Sequence, residues 1–271
     1  MDKIISYGQY RFAVSEARSR GCTLSNCFFL PDAAERKIRE GRLFFQSVED
    51  GLLILEDNKT FYRCFYYLSS GSSPSPLLLD KDAVIEFPFN SRMNNKQLRQ
   101  TELIGALGFT LGRESAVMSC TPDALADLSA AAAPRVELAA SDDSGQILDL
   151  LYSYFDPLYA FLPDERELLS AISDRRVFVI REDGRIGAVL HSGFDGDAAV
   201  INQVAVAADR RGKGLGRAVV DAYHKAYSDR ASVFRHWVDV NNAPALGMYS
   251  RFGYKFGLRK ANEYILLKKG D

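Results

Sequence analysis

The residues best placed to do chemistry lie between Val204 and Arg217. The apolar run Ile201-Asn202-Gln203-Val204-Ala205-Val206 ends in a short polar turn, and Arg211-Gly212-Lys213-Gly214-Leu215-Gly216 follows. A helix is predicted from Arg217 to Ser228. Glycines let backbone N–H groups approach a ligand with no Cβ in the way. The first turn of a helix leaves about four N–H groups unpaired and carries partial positive charge. A phosphate or pyrophosphate fits such a junction, and Arg211, Lys213 and Arg217 add charge around it. The spacing R-x-x-G-x-G alone is common at strand-to-helix turns. No Lys-Ser/Thr follows the last glycine, so this is not a Walker A loop. No acidic residue ends a suitable second strand, and the segment lies deep in the chain, which excludes a dinucleotide fingerprint.

With its flanks the segment becomes more specific. Val204–Val220, VAVAADRRGKGLGRAVV, resembles the core motif of the GNAT superfamily of N-acetyltransferases. In that family V-x-V, a short turn and R/Q-x-x-G-x-G/A hold the pyrophosphate of coenzyme A. The later stretch VDVNNAPALGMYSRFGYKFG resembles the family's second signature through Asn242, Ala245, Tyr249, Gly253 and Tyr254. The resemblance implies a role for each matching residue. Backbone groups of Val204, Ala205 and Val206 would pair with the pantetheine arm as if it were an added strand. N–H groups from Arg211, Gly212, Lys213, Gly214, Leu215 and Gly216 would hold the pyrophosphate. Asn242 would contact the pantetheine, cap the following helix, or both. Tyr249 would protonate the departing thiolate; read alone, beside Ala245, Met248 and Phe252, it is a core aromatic.

The implied reaction is direct transfer from acetyl-CoA to an amine, a small molecule or a peptide. A backbone N–H between Gln203 and Val206 would stabilise the oxyanion. Many relatives place a Glu on the central strand as base, but here that strand carries Asn202 and Gln203. Asp239 is a candidate base, followed by Asp195 or Asp197, and a water relay is equally compatible. Tyr152, Tyr154, Phe155, Asp156 and Tyr159 cluster where relatives line the acceptor pocket. Of these, Tyr154, Asp156 and Tyr159 are the expected acceptor contacts; aromatics packed against a sheet would look the same. His191, His224 and His236 have no metal-ligand spacing, and no metal is expected.

These residues need a scaffold. In the second half, strands are predicted at PRVELAA, Arg176–Arg181, Arg185–His191, Ala198–Val206, Ser232–Val240 and Tyr264–Lys268, the last closing the sheet. Helices are predicted over SDDSGQILDLLYSYF, Asp164–Ile172 and Ala243–Phe252. The first half repeats part of this order. FLPD occurs at Phe29–Asp32 and Phe161–Asp164, Asp-Gly turns at Asp50-Gly51 and Asp183-Gly184, and Gly-aromatic pairs at Gly108-Phe109 and Gly253-Tyr254. Ile104 then stands where Tyr249 stands. Ser69–Pro76, SSGSSPSP, replaces the glycine-rich loop, so the first half is not expected to bind coenzyme A in the family's manner.

The expected architecture is α/β (α+β) with tandem GNAT-like domains, each a mixed, mainly antiparallel central sheet flanked by helices. The N-terminal domain, 1–130, is degenerate; residues 131–271 form the transferase domain. Thr121–Ala133 is expected to be an Ala-rich helix or linker. Residues 1–130 carry 15 Lys+Arg and 16 Asp+Glu, and residues 131–271 carry 19 of each. Neither half is basic enough to bind nucleic acid electrostatically. The four cysteines, Cys22, Cys27, Cys64 and Cys120, form no CxxC pair and suggest free thiols in a reducing compartment. No apolar stretch has signal-peptide or membrane-helix length, so a cytoplasmic protein with no membrane partner is expected. The rival readings are a non-catalytic acyl-CoA-binding regulatory module and a transferase using another acyl donor such as aminoacyl-tRNA. The balanced charge weighs against the second.

Overall fold

The computed structural model describes residues 1–27, 29–126 and 134–268. Alternating apolar runs and tight turns build the first half as β1 (Asp2–Lys3), α1 (Tyr7–Ser19), β2 (Leu24–Ser25), α2 (Pro31–Arg39), β3 (Leu43–Val48), β4 (Gly51–Asp57), β5 (Phe61–Leu68), β6 (Asp82–Asn90), α3 (Asn95–Ala106) and β7 (Thr110–Cys120). The second half forms β8 (Val136–Leu138), α4 (Ser144–Tyr154), α5 (Glu165–Ser173), β9 (Val177–Glu182), β10 (Arg185–Asp195), β11 (Ala198–Val206), α6 (Leu215–Tyr227), β12 (Val233–Asp239), α7 (Ala243–Arg251) and β13 (Lys255–Leu266). Both Asp183 and Gly184 have positive φ, which a two-residue hairpin turn of matching twist requires.

These elements gather into two compact units, Met1–Glu114 with Arg259–Asp271, and Ser115–Leu258. In unit 1, β3, β4 and β5 are consecutive antiparallel neighbours, β6 runs parallel to β5, and β13 lies antiparallel to β6 from Arg259↔Asn90 to Leu266↔Ala83. In unit 2, β8, β9, β10 and β11 are antiparallel neighbours, β12 runs parallel to β11, and Ser115–Cys120 of β7 pairs antiparallel with β12. Each unit is a mixed, mainly antiparallel sheet flanked by helices.

The last strands fall elsewhere than expected. Residues 259–266 complete the sheet of unit 1, whereas the sequence suggests that Tyr264–Lys268 closes the second half. The strand after Gly108 gives its Ser115–Cys120 part to unit 2. Core fit accounts for both placements. Met118 and Cys120 sit in the apolar core beneath α6 and α7, and Tyr264 and Leu266 pack against the core beneath α3. A division near residue 130 falls on 127–133, outside the described residues; the compact units divide at 114/115 and 258/259 instead. Of the Ala-rich segment, Pro122–Ala124 forms one 3-10 turn, and the remainder from residue 127 lies outside the described residues.

The repeat landmarks occupy equivalent places at the helix ends. Gly108 and Gly253 are both left-handed, one residue past the caps of α3 and α7. Phe109 N–H donates to Ile104 O, and Tyr254 N–H donates to Tyr249 O, closing both helices in the same way. Ile104 therefore holds the helical position in unit 1 that Tyr249 holds in unit 2. All four cysteines are buried and free. No described helix is long and apolar enough to cross a membrane.

Candidate functional site

The site starts from a break in one ladder. β11 pairs with β12 from Ala198↔Val233 to Ile201↔His236, and that pairing stops there. On its other side β11 stays paired with β10, but the register slips: Ser192 faces Ile201 while His191 faces Gln203. Asn202 is the extra residue of this bulge, exposed and ejected from the ladder. Gln203–Val206 thus keep β10 and continue beyond β12. Val204 and Val206 pack toward the core under α6 and α7, and Ala205 toward the core under α4 and α5. One edge of this stretch is available to an extended ligand.

The strand leads into the glycine loop. Gly212 and Gly214 have φ of +78° and +80°, and Gly214 is the residue preceding the helix. α6 begins at Leu215, two residues earlier than the sequence suggests, so Leu215, Gly216 and Arg217 form its first turn. A Cβ on Gly212 would meet nothing within 4 Å, and one on Gly214 would meet only the Arg217 guanidinium at 3.9 Å. The cradle is open, with backbone N–H groups and a helix N-terminus facing it. Arg217 folds back over it. Arg211 is held by a bond from Nε to Val206 O (3.2 Å) and by stacking on the Tyr154 ring (4.5 Å). Lys213 is exposed. Arg210 is neutralised by Glu182, Asp183 and Asp209.

Tyr249 lies on α7, 4% exposed, with its ring on His236 at a centroid distance of 3.7 Å. Among the described residues its hydroxyl makes no hydrogen bond, and burial pushes the phenol well above its usual range. His236 donates from Nδ1 to Trp237 O (3.2 Å), leaving Nε2 buried and without a partner among the described residues. Burial holds its pKa down to about 4. His236 is also the last rung of the β11–β12 pairing, so Tyr249 stands at the point where the strands part.

Asn242 caps α7, its Oδ1 accepting from Ala245 N–H (3.1 Å). Asp239 is half-buried at the end of β12, and its Oδ1 accepts from Asn241 N–H (2.8 Å). Asp195 and Asp197 sit at the opposite end of β11, where Asp195 meets Arg235 (3.2 Å). The expected acceptor residues do not form one group. The Tyr154 hydroxyl oxygen accepts from Ala208 N–H (2.6 Å), which ties Tyr154 to the glycine loop. Asp156 holds the turn after α4, accepting from Leu158 N–H (2.9 Å), and Tyr159 is half-buried in that turn.

A pair that sequence reading missed lies under this turn. Gln203, 5% exposed, donates from Nε2 to Phe161 O (2.9 Å) and faces His191 Nδ1 through Oε1 (2.7 Å). The Asp195–Asp197 turn, counted without a bulge, would set His191 opposite Asn202. Only the bulge brings Gln203 there.

Unit 1 has the same gap and fills it. β5 pairs with β6 only over Phe61–Arg63. Beyond that, β2 pairs with Tyr67 and Leu68. Asn26 accepts from Tyr66 N–H (2.9 Å) and donates to Cys64 O (3.4 Å) and Glu86 O (3.1 Å). The chain's own segment thus takes the backbone groups that β11 leaves open in unit 2.

Residues 173–256 match the family profile described as the acetyltransferase (GNAT) domain. No curated protein matches the chain in sequence. Among solved structures, an acetyltransferase from the GNAT family of Colwellia psychrerythraea is 15% identical, with 98% of this chain and 99% of that chain covered and a TM-score of 0.53. A GCN5-related N-acetyltransferase from Sphaerobacter thermophilus is 13% identical, with 96% and 92% covered and a TM-score of 0.54. One from Kribbella flavida is 12% identical, with 96% and 95% covered and a TM-score of 0.53. At these identities the likeness shows a shared fold, and it extends over nearly the whole chain.

Proposed function

We propose, from the match of residues 173–256 to the acetyltransferase (GNAT) domain, that the chain transfers an acetyl group from acetyl-CoA to an amine acceptor by direct attack. The observation that carries this reading is the open β11 edge running into a left-handed glycine loop and the N-terminus of α6. The residues fit a nucleotide diphosphate on a pantetheine arm. Backbone groups of Val204, Ala205 and Val206 take the arm, and N–H groups from Gly212 to Gly216 take the pyrophosphate, since the Arg211 N–H expected to join them already donates to Ala208 O (3.4 Å). Arg217 and Lys213 supply positive charge, and Tyr154 keeps Arg211 in position by stacking. Asn242 acts by capping α7, which fixes Tyr249.

In the reaction the amine nitrogen bonds to the thioester carbon, the carbon–sulfur bond breaks, and the proton that leaves the amine passes to a base and from it to solvent, from which Tyr249 regains the one it gives to sulfur. An N–H of the Gln203–Val206 stretch stabilises the oxyanion. Tyr249 returns a proton to the thiolate: its buried phenol keeps that proton at neutral pH, and its hydroxyl has no competing partner. Asp156 and Tyr159 meet the acceptor from the turn after α4. Asp239, the candidate base, has its Oδ1 engaged by Asn241 N–H at the end of β12. Unit 1 acts as a scaffold, since Asn26 occupies its gap.

Calorimetry with acetyl-CoA, followed by a thiol-release assay over a panel of primary amines, tests the reading. Binding that Gly214→Glu abolishes, with thiol release for at least one amine, is expected. Binding without release for any amine would make the domain a non-catalytic acyl-CoA sensor. Absence of binding would overturn the proposal altogether.

A further inference from the structure

We infer that His191 takes the proton from the attacking amine through its Nε2. This rests on the acetyl-transfer reading above, and it supplies the proton acceptor that β11 itself lacks.

Hydrogen-bond bookkeeping fixes the tautomer. The Gln203 amide must point its nitrogen at Phe161 O, because a flipped amide would set two acceptors against each other. Its Oε1 therefore faces His191 and accepts, so in the neutral ring Nδ1 carries the hydrogen. Nε2 is left with the lone pair.

Position gives that lone pair a task. His191 and Gln203 lie on the face of the sheet that packs against α4 and α5, with Val189 and Ala205. Tyr249 lies on the other face. Both sets lie at the level along β11 where β12 parts from it, Tyr249 beside the gap and His191 one strand away on β10. Tyr249 stacks on His236, the residue opposite Ile201 at the last rung, and Gln203 is two residues further along β11, about 7 Å away. A proton taken on the α4–α5 face and another given on the α6–α7 face serve the two atoms of one tetrahedral intermediate that need them, the amine nitrogen and the sulfur. The carboxylates have other partners: Asp239 holds a turn, and Asp195 meets Arg235 at the far end of the strand.

His191 is 8% exposed, and burial favours the neutral ring, the form that accepts a proton. The charged groups that act on it are Arg176, ahead of β9, which adds to that effect, and Glu167 of α5, which opposes it. Its acidic limb therefore lies below the ordinary histidine value of 6.5.

His191→Asn keeps a donor toward Gln203 and removes Nε2. By calorimetry it is expected to bind acetyl-CoA within about two-fold of wild type, and its turnover is read as thiol release over the amine panel. Its turnover should fall about 100-fold or more, with loss of the acidic limb of the pH profile. Gln203→Glu, which places a carboxylate against Nδ1, should move that limb to higher pH. In ¹⁵N NMR of the wild type, Nδ1 should carry the hydrogen and Nε2 none. Turnover of His191→Asn within three-fold of wild type, an unmoved limb in Gln203→Glu, or a protonated Nε2 at neutral pH would overturn the inference and leave the acetyl-transfer reading intact. A wild type that binds acetyl-CoA but acetylates no amine would remove both.

Discussion

Tyr249 can be tested with little collateral damage. Its ring is fixed by His236 and the α7 core, while its hydroxyl has no hydrogen bond among the described residues to lose. Tyr249→Phe should leave the unfolding free energy within about 0.5 kcal/mol of wild type. It should also keep acetyl-CoA affinity and lower turnover by about 100-fold; thermal unfolding, calorimetry and thiol release separate the three effects. His224 and His236 give a second expectation. Burial pushes each to about 4, below the 6.5 of an unfolded chain, so between those values the unfolded state binds more protons. Stability is therefore fully present above pH 6.5. It should fall as pH drops toward 4 by about 1.4 kcal/mol per pH unit for each histidine. Denaturant midpoints at pH 7 and pH 5 would show this. At this scale the sequence made Tyr249 and the loop glycines legible, because each sits at a fixed offset from a turn or helix end. His191 and Gln203 were not legible, because one bulge residue decides which side chains meet.

Among elements, the glycine loop and the end of α7 make different demands. Gly212 and Gly214 need the left-handed region, whereas Gly216 is helical, and a Cβ there would meet Val206 at an ordinary 3.4 Å. Gly216→Ala should therefore fold normally. Gly214→Ala should strain the loop by about 1–2 kcal/mol, read as roughly ten-fold weaker acetyl-CoA binding in calorimetry. Gly253 combines a φ of +96° with crowding, since a Cβ there would lie 2.4 Å from Ala124 O. Gly253→Ala should destabilise unit 2 by about 2–4 kcal/mol, measured as a lowered denaturant midpoint. Most elements of the second half were readable from period and caps, and the first half through the landmarks it repeats. The two last strands were not, since β7 and β13 carry similar patterns and only the packing of Met118, Cys120, Tyr264 and Leu266 assigns them.

For the molecule as a whole, the filled gap between β5 and β6 sets the stoichiometry. Calorimetry should find one acetyl-CoA site per chain, because Asn26 and β2 already satisfy the backbone of β5. A fragment of residues 131–271 would lack Ser115–Cys120 and bare the edge of β12. It should be less soluble and lose amide protection along β12, whereas residues 115–258 should retain both, by light scattering and hydrogen exchange. The division of strands also bears on synthesis. Ser115–Leu258 is continuous, so this unit needs no segment made later to close its sheet. The unit that begins at Met1 does, because β6 waits for residues 259–266, which are translated after everything else the sheet needs. The earlier-made half therefore gains no completed sheet ahead of the later one, and the β6 edge stays unsatisfied until residues 259–266 are made.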